Sequence, residues 1–152
     1  MNIKRCCFAG HSKIYHTDDL YDKLVALINE LIVRHNISEF YVGNYGDFDK
    51  LCAKAVRSLK EKYPHIQLTL VIPYLTSEIN EYREEYYKKY DGIIMADLPD
   101  NIPKKLKIIK CNEYMVNSSD FIICYVKKNM GGAYKTVEYA KKKKDIAILS
   151  VI

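Results

Sequence analysis

Residues 120–140, "DFIICYVKKNMGGAYKTVEYA", join an apolar run to a helix-like segment through two adjacent glycines. The apolar run predicts a buried strand over 120–126, and the residues that follow predict a helix over 131–143. The chain has only six glycines, yet Gly131 and Gly132 stand side by side at this junction. Backbone N–H groups at a helix N-terminus attract phosphate. A tight turn with nothing bound explains the glycine pair equally well, so both interpretations stay open.

The rest of the chain repeats this alternation of short apolar runs and helix-period segments. The pattern predicts strands over 3–10, 39–43, 66–74, 92–96, 120–126 and 146–151. It predicts helices from Thr17 or Asp18 to Asn36, from the Asp47 region to Lys62, from Ser77 to about Tyr90, over 110–119 and over 131–143, with an irregular connection over 97–107. Continuous apolar strands are typical of parallel sheets covered on both faces. We therefore expect an α/β fold: a doubly wound, mostly parallel Rossmann-like sheet of about six strands with helices on both faces.

Composition limits the class of protein. The chain has 152 residues, of which 49% are hydrophobic, and we expect one domain over 1–152. Because the sequence contains neither an 18-residue apolar run nor the apolar stretch of a signal peptide, we expect a cytoplasmic protein with no membrane partner. The net charge is +5, but its lysines are scattered except for Lys141 to Lys144, which close the last helix. No basic stripe with interleaved aromatic residues is seen, so we expect no nucleic-acid partner.

Cysteine and histidine spacing gives no sign of a metal. The five cysteines are odd in number and show no CxxC pair, which indicates reduced packing residues rather than a disulfide framework or a zinc site. The histidines at positions 11, 16, 35 and 65 show no ligand spacing among themselves. We expect no metal site and no cofactor.

The loops that follow the strands carry the candidate ligand-binding residues, because ligands of doubly wound sheets bind beyond the carboxyl ends of the strands. These candidates are Gly10, His11 and Ser12 after the first strand, Gly43, Asn44, Gly46 and Asp49 after the second, Pro73 and Tyr74 after the third, and Gly131, Gly132, Ala133, Thr136 and Glu138 after the fifth.

Three of these candidates have a second interpretation. Of Asp47 and Asp49, one is expected to cap the second helix, which leaves the other for a ribose hydroxyl, and we favour Asp49 for the pocket. His11 either binds the ligand or caps a loop. Glu138 either faces the cleft or is an ordinary surface glutamate.

Five segments together resemble a known family. They are "CCFAGH" (6–11), "VGNYGDFDKLCAKAV" (42–56), "LTLVIPY" (68–74), "CNEYMVNSSDFIICY" (111–125) and "GGAYKTVEYA" (131–140). Their order and spacing resemble small proteins of the SLOG superfamily, which includes the LONELY GUY phosphoribohydrolases and the ligand-sensing domains of some defence systems. The resemblance implies a homodimer that binds a nucleotide-derived molecule, with phosphate at Gly131–Gly132, base or ribose near Gly10, Gly43 and Pro73, and Asn112 in the pocket.

The hydrolase branch of that superfamily acts on an N-glycosidic bond with a glutamate in a PGGxGTxxE segment and an arginine ahead of an asparagine-like position. Glu138 retains the distance from the glycine pair, but Tyr134 and Lys135 replace the inner Gly-Thr, and Cys111 stands before Asn112. The first motif, commonly TGHR, reads "AGHS" here. Loss of a preorganised cation costs about 3 kcal/mol of transition-state stabilisation.

We therefore expect a protein that senses or sequesters a nucleotide-derived molecule, such as an NAD or ADP-ribose relative or a cyclic nucleotide signal, without catalysis. One alternative is an N-glycosidic hydrolase of a nucleoside monophosphate that uses Glu138. A second alternative is a ligand-free protein-interaction adaptor whose surface is formed by Tyr82, Tyr86, Tyr87 and Tyr90.

Overall fold

A computed structural model describes residues 2–15 and 17–152; Met1 and His16, one of the four histidines considered above, lie outside the described residues. Six strands form one parallel sheet. They are β1 (Lys4–Gly10), β2 (Ile37–Val42), β3 (Gln67–Ile72), β4 (Gly92–Met95), β5 (Phe121–Tyr125) and β6 (Ala147–Ser150). Each coincides within a few residues with a predicted apolar run, and the predicted α/β Rossmann-like fold is confirmed.

Six helices connect these strands. They are α1 (Thr17–His35), α2 (Asp47–Lys60), α3 (Ser77–Glu81), α4 (Arg83–Lys89), α5 (Lys104–Asn117) and α6 (Gly132–Lys141). Helix α1 ends where the sequence predicts, because Asn36 has a φ of 56°, a left-handed conformation that asparagine tolerates at the end of a helix. Among the described residues, none of the helices combines the length and apolarity needed to cross a bilayer.

The strand order is β4-β3-β2-β1-β5-β6, so β2 and β1 are the two central strands. From β1 the chain adds β2, β3 and β4 on one side, then crosses to the other side of β1 and adds β5 and β6. The direction of winding therefore reverses between β1 and β5. Register pairs Gly10 with Tyr125, so these two strands end at the same level. Loops at such a switch point diverge and leave a crevice between them.

The sheet is covered on both faces by apolar packing. One face buries Leu24, Ile28, Phe40 and Phe48 beneath α1 and α2. The opposite face buries a smaller cluster beneath α5 and α6, which includes Val137. Because both faces are occupied, the strands read as continuous apolar runs rather than as alternating patterns.

Helix α5 is longer than the sequence predicts. The segment 97–107 was expected to be irregular and the helix to cover 110–119, but α5 begins at Lys104. Pro103 immediately precedes it, where the missing N–H of proline costs no helical hydrogen bond. The lysines of the first turn interrupt the apolar spacing that would have predicted a helix there. Only Cys111, Met115 and Val116 of this helix are buried.

The predicted helix over 77–90 is instead two short helices. Tyr82 lies between α3 and α4 with non-helical φ and ψ of −108° and 34°. Thr76 caps α3 by accepting a hydrogen bond from the backbone N–H of Ile79 at 3.2 Å, so the cap is one residue earlier than Ser77. Helix α4 buries none of its residues, so no core contact extends α3 through this region.

The four tyrosines of this region do not share one exposed face. Tyr90 is buried and its ring stacks on Tyr86 at 6.3 Å, whereas Tyr82 and Tyr87 are exposed. The Arg57 guanidinium also lies over the Tyr90 ring at 5.7 Å. Tyr90 and Tyr86 therefore pack against the fold, and only Tyr82 and Tyr87 of the four remain exposed for the surface that the adaptor alternative requires.

Gly10 is a packing requirement of the fold. A Cβ at this position would lie 2.2 Å from Cγ of Phe48, whose side chain is fully buried. The Phe48 ring also stacks on Tyr125 at 5.9 Å between ring centroids. The absence of a side chain at Gly10 thus lets α2 lie close to the end of β1.

Replacing Gly10 by alanine is predicted to destabilise the fold by about 2 kcal/mol, because a methyl group there forces the Phe48 ring out of its buried position. Urea unfolding measures the change. Gly132→Ala is the matched control, because a methyl group at that position has no protein atom within 4 Å among the described residues. Equal stabilities of Gly10→Ala and wild type would contradict the packing argument.

Candidate ligand site

A cleft of about 810 Å³ opens where β1 and β5 end. Its walls come from the ends of β1 and β5, the loops that follow β1, β2 and β5, the first turn of α2, the middle of α5 and the first turns of α6. The lining residues are Phe8, Ala9, Gly10, His11, Ser12, Lys13, Ile14, Tyr15, Tyr45, Asp49, Ile108, Asn112, Tyr125, Lys127, Lys128, Gly131, Gly132, Ala133 and Thr136. The cleft therefore lies at the switch point of the sheet, where such folds bind ligands.

Nine of the candidate ligand-binding residues meet in this cleft. They are Gly10, His11, Ser12, Asp49, Asn112, Gly131, Gly132, Ala133 and Thr136. They come from four separate parts of the chain. The parallel sheet brings the loops together, because strands that run in the same direction end at one edge. Their contact with a ligand stays a prediction.

The candidates after β3 lie outside the cleft. Pro73 is buried at the end of β3, and the Tyr74 ring lies beneath the ammonium of Lys104 at 5.2 Å. Strand β3 is separated from β5 by both β2 and β1. Neighbouring strands are about 4.8 Å apart, so the loop after β3 begins about 10 Å from the end of β1, and neither Pro73 nor Tyr74 lines the cleft.

Three candidates after β2 serve the fold instead. A Cβ at Gly43 would lie 3.0 Å from Oδ2 of Asp49, and one at Gly46 would lie 2.5 Å from Cα of Ser12. Gly46 also has a φ of 149°. Asn44 points away from the cleft and donates a hydrogen bond to the hydroxyl of Tyr86 at 3.4 Å. These residues pack the loops after β1 and β2 against each other and against α4.

Glu138 does not line the cleft. Its Oε2 lies 2.9 Å from Nζ of Lys141, and this hydrogen bond and charge lower the pKa of Glu138. Successive helical residues are about 100° apart, so Glu138 is about 200° around α6 from Thr136, which does line the cleft. The distance from the glycine pair, counted along the sequence, did not reveal this orientation.

The Gly131–Gly132 turn presents free backbone amides to the cleft. Gly131 precedes α6 with a φ of 95°, and no side chain caps this helix. The first helical bond runs from Lys135 N–H to the Gly131 carbonyl at 3.0 Å. The N–H groups of Gly132, Ala133 and Tyr134 therefore have no acceptor within the helix.

The two glycines have different reasons to be glycine. Gly131 needs the freedom of glycine for its positive φ. Gly132 has no such φ, and a Cβ built on it meets no described atom within 4 Å. Neither backbone conformation nor packing accounts for glycine at 132. Its missing side chain leaves the space beside the helix N-terminus open.

The charges of the cleft are mostly positive. Lys13, Lys127 and Lys128 line it, and Asp49 is the one carboxylate among the lining residues described. These lysines were not grouped from the sequence because Lys13 lies far along the chain from the adjacent pair Lys127 and Lys128. Lys13 follows the end of the first predicted strand and its loop, and Lys127 and Lys128 follow the fifth predicted strand, so the shared edge of the parallel strands was the signal that could have grouped them.

Asp49 is a partly buried carboxylate. Its Oδ2 accepts a hydrogen bond from the backbone N–H of Tyr45 at 3.1 Å. Burial raises the pKa of Asp49 from 3.8 to about 6, although this hydrogen bond acts in the opposite direction. Ionised Asp49 is therefore less stable in the folded protein than it would be in water.

The expectation that Asp47 or Asp49 caps α2 is wrong. Gly46 occupies the N-cap position and no side chain makes a cap hydrogen bond. Helix α2 begins at Asp47 itself, whose Oδ2 instead accepts from the backbone N–H of Ile14 at 3.1 Å. Both carboxylates thus hold neighbouring loops.

The cysteines are buried packing residues, as predicted. Cys111, which stands where the hydrolase branch has an arginine, is 2% exposed, and its Sγ lies 3.9 Å from the Val71 carbonyl. Burial raises its pKa to about 12, so it stays a neutral thiol. Within residues 2–15 and 17–152, no three His, Cys, Asp or Glu side chains come together as metal ligands.

The all-parallel sheet with a cleft at its switch point defines an α/β Rossmann-like protein. Residues 17–150 match the YpsA family model, described as the YspA SLOG family, and the chain belongs to this family. The predicted relation to the SLOG superfamily is confirmed.

Two relatives show what is known of similar sequences. The chain is 29% identical over 138 residues to the uncharacterized SPbeta prophage-derived protein YoqJ of Bacillus subtilis, a match that covers 81% of each chain. It is 30% identical over 128 residues to UPF0398 protein BH1768 of Halalkalibacterium halodurans, a match that covers 80% of this chain and 65% of the relative. These names state no activity.

Solved structures of DNA processing protein A (DprA) share the fold. The protein from Streptococcus pneumoniae superposes with a TM-score of 0.70 and is 14% identical in sequence. The superposition covers 97% of this chain but only 50% of the Streptococcus pneumoniae chain. The protein from Helicobacter pylori superposes with a TM-score of 0.67 and is also 14% identical in sequence. That superposition covers 97% of this chain and 64% of the Helicobacter pylori chain. At this identity the likeness shows the fold alone.

The prediction that nucleic acid is excluded as a partner is wrong. The Helicobacter pylori protein is described as having a single-stranded DNA binding mode, so this fold is compatible with nucleic acid. The prediction rested on scattered lysines, and the fold brings Lys13, Lys127 and Lys128 together around a cleft that also contains tyrosines.

Asp49→Asn is predicted to stabilise the protein at neutral pH by about 1–2 kcal/mol, because the amide retains an acceptor for Tyr45 N–H without a buried charge. Between pH 3.8 and about 6 the folded state binds more protons at Asp49 than the unfolded state does. The contribution of Asp49 to the wild-type free energy of unfolding therefore falls as pH rises through this window, so the wild-type curve should fall relative to that of Asp49→Asn.

Urea unfolding from pH 3.5 to 7.5 measures this slope for wild type and Asp49→Asn. Asp47→Asn is the control, because its carboxylate is exposed, and it should keep the wild-type slope. An Asp49→Asn variant that is less stable than wild type at pH 7 would show that the carboxylate has a structural role.

Proposed function

We propose that the cleft binds the phosphate of a nucleotide-derived small molecule and that the protein senses or sequesters this molecule without a catalytic step. The observation that supports the proposal most is the Gly131–Gly132 turn, whose unbonded amides and open space face an 810 Å³ cleft. A cavity of this volume is large enough for a nucleotide-sized ligand.

The phosphate end of the ligand is assigned to the first turn of α6. Three successive N–H groups without intrahelical acceptors and the positive end of the helix dipole favour an anion there. Lys127 and Lys128, which precede the turn, add two positive charges to the same wall. Inorganic anions satisfy these donors too, so this end alone does not select a nucleotide.

The nucleoside end is assigned to Asp49 and the tyrosines of the opposite wall. A carboxylate accepts hydrogen bonds from ribose hydroxyls, and its burial in the folded protein costs stability that a neutral side chain would not. Tyr45 is 43% exposed and lines the same cleft, where its ring offers a stacking surface for a base.

We propose no catalytic step because Glu138 does not line the cleft. Hydrolysis in the related branch needs the glutamate beside the glycosidic bond, whereas Glu138 is paired with Lys141 away from the lining of the cleft. The arginine of that branch is replaced by a buried neutral thiol at Cys111. These two residues support a binding protein over the hydrolase alternative.

Isothermal titration calorimetry against AMP, ADP-ribose, NAD and cyclic nucleotides tests the proposal. At least one member of this panel should bind with a stoichiometry of one per cleft, and chromatography should show no base release. Absence of heat across the panel at high micromolar ligand would contradict the proposal. Sedimentation on the same samples tests the homodimer that the resemblance implies.

Gly132→Asp is predicted to weaken binding of the responsive nucleotide by at least about tenfold, because a carboxylate at the helix entrance repels phosphate. The same substitution favours the helix itself, since acidic residues stabilise the first turn. Gly132→Asn is the matched control, with nearly equal size and no charge. Calorimetry should rank affinity as wild type, then Gly132→Asn, then Gly132→Asp; equal affinity of the two variants would contradict a phosphate at this turn.

A second candidate function is binding of single-stranded nucleic acid along the same cleft. The observation that favours it is the combination of Lys13, Lys127 and Lys128 with Tyr15, which is 76% exposed, and with Tyr45. Positive grooves that follow the phosphate backbone and aromatic rings that stack on bases are the common features of single-strand binders. The DNA binding described for the Helicobacter pylori protein of the same fold supports this candidate.

Lys127→Gln/Lys128→Gln is predicted to reduce the salt dependence of oligonucleotide binding, because each lost phosphate contact lowers the slope by about 0.7 for a single strand. Fluorescence anisotropy with a labelled oligo(dT) over a range of salt concentrations measures the slope. Tyr15→Ala is the contrasting variant: it should weaken binding and leave the slope unchanged. Wild type that does not bind the oligonucleotide at low salt would remove this candidate.

A further inference from the structure

His11 makes a hydrogen bond between two loops of the cleft. Its Nε2 lies 2.7 Å from the backbone nitrogen of Lys127 and accepts a hydrogen bond from that N–H. The imidazole ring also packs edge-on against Tyr125, with ring centroids 6.0 Å apart. His11 follows the last residue of β1, and Lys127 follows β5 by two residues. The bond therefore spans the switch point itself.

The loop after β1 is held firmly on its other side. Ser12 accepts a hydrogen bond from Asp47 N–H at 2.8 Å, and Asp47 in turn accepts from Ile14 N–H at 3.1 Å. Gly46 packs directly against Ser12, where a Cβ would lie 2.5 Å from Cα. These contacts make the loops after β1 and β2 one packed unit.

The segment from Lys127 to Gly132 has little packing of its own. All six of its residues are exposed, and neither glycine has a described neighbour within 4 Å of a built Cβ. Within the described part of the chain, one hydrogen bond joins this segment to the β1 loop, and His11 is its acceptor. Its hydrogen-bonded link to the β1 loop thus depends on one acceptor atom, whereas its C-terminal end is held by α6.

We propose that His11 is a positioning residue: by accepting the Lys127 N–H it fixes the β5–α6 loop and so holds the Gly131–Gly132 turn at the distance from the β1 loop that a ligand spanning the cleft requires. The ligand part of this inference rests on the proposed function. The positioning part does not, because it concerns the loop in the free protein.

The hydrogen bond also fixes the tautomer of the ring. An Nε2 that accepts a hydrogen bond carries no proton, so neutral His11 must have its proton on Nδ1. Lysine or arginine at this position would place a donor against the Lys127 N–H. Glutamine has an acceptor oxygen at a similar reach and is therefore the conservative substitute.

Nuclear magnetic resonance of the free protein tests the positioning. Long-range ¹H–¹⁵N spectra should show the Nδ1–H tautomer of His11 in wild type. In His11→Ala the Lys127 amide should exchange with solvent about tenfold faster or more, as expected for loss of one hydrogen bond, whereas the amides of β1 and β5 should keep their wild-type exchange. His11→Gln should restore slow exchange of Lys127. An Nε2–H tautomer, or slow exchange of Lys127 in His11→Ala, would overturn the inference.

Calorimetry with AMP as the probe tests the consequence for binding. His11→Ala should bind AMP about tenfold more weakly than wild type, and His11→Gln should stay within about threefold of it. If His11→Ala loses affinity while its Lys127 amide is unchanged, His11 contacts the ligand directly and the positioning role is wrong. If wild type binds neither AMP nor the other nucleotides, the proposed function fails, and the tautomer and exchange results still decide the role of His11.

Discussion

Parallel pairing of β1 with β5 is the constraint on which the site depends. The pairing sets Gly10 opposite Tyr125, so both strands end at the same level and their following loops face each other. The chain reaches β5 only after building β2, β3 and β4 on the far side of β1, which makes this pair the place where winding reverses. Apart from Tyr45, which lies in the loop after β2, the residues that line the cleft come from these two strands, their following loops, and the helices α2, α5 and α6.

The glycines show how one residue type serves several physical needs in this fold. Gly10 leaves room for the buried Phe48 ring, and Gly46 lets two loops approach each other. Gly131 adopts a φ of 95° that other residues rarely reach. Gly132 meets none of these needs, and it stands at the helix entrance that opens into the cleft. The residue without a structural explanation is the one placed best for a ligand.

The fold could be predicted from the sequence because its determinants are local. Apolar runs such as "FIICY" and the helical spacing of α1 do not depend on what lies elsewhere in the chain. The site could be predicted only in part. Gly10 ends β1, His11 follows it, and Gly132 begins α6, so the rule for doubly wound sheets placed these residues correctly at the edge of the sheet.

What the sequence could not supply was the direction of side chains and the grouping of distant charges. Glu138 has the expected spacing from the glycine pair, but the rotation of α6 turns it toward Lys141. Lys13 and Lys127 are separated by 114 positions in the sequence. Both line the cleft only because β1 and β5 are neighbouring strands. Scattered basic residues in a parallel sheet therefore have to be judged by the strand they follow.

We propose that the first-turn amides of α6 bind an anionic group of a ligand in the cleft. A titration of the ¹⁵N-labelled protein with AMP, followed through its backbone amide resonances, tests this most directly. We expect the largest chemical-shift changes at the amides of Gly132, Ala133 and Tyr134, whose N–H groups have no helical acceptor. These three changes should saturate at the same AMP concentration. Binding of AMP that leaves these three resonances in place, with its shifts elsewhere in the protein, would contradict the account.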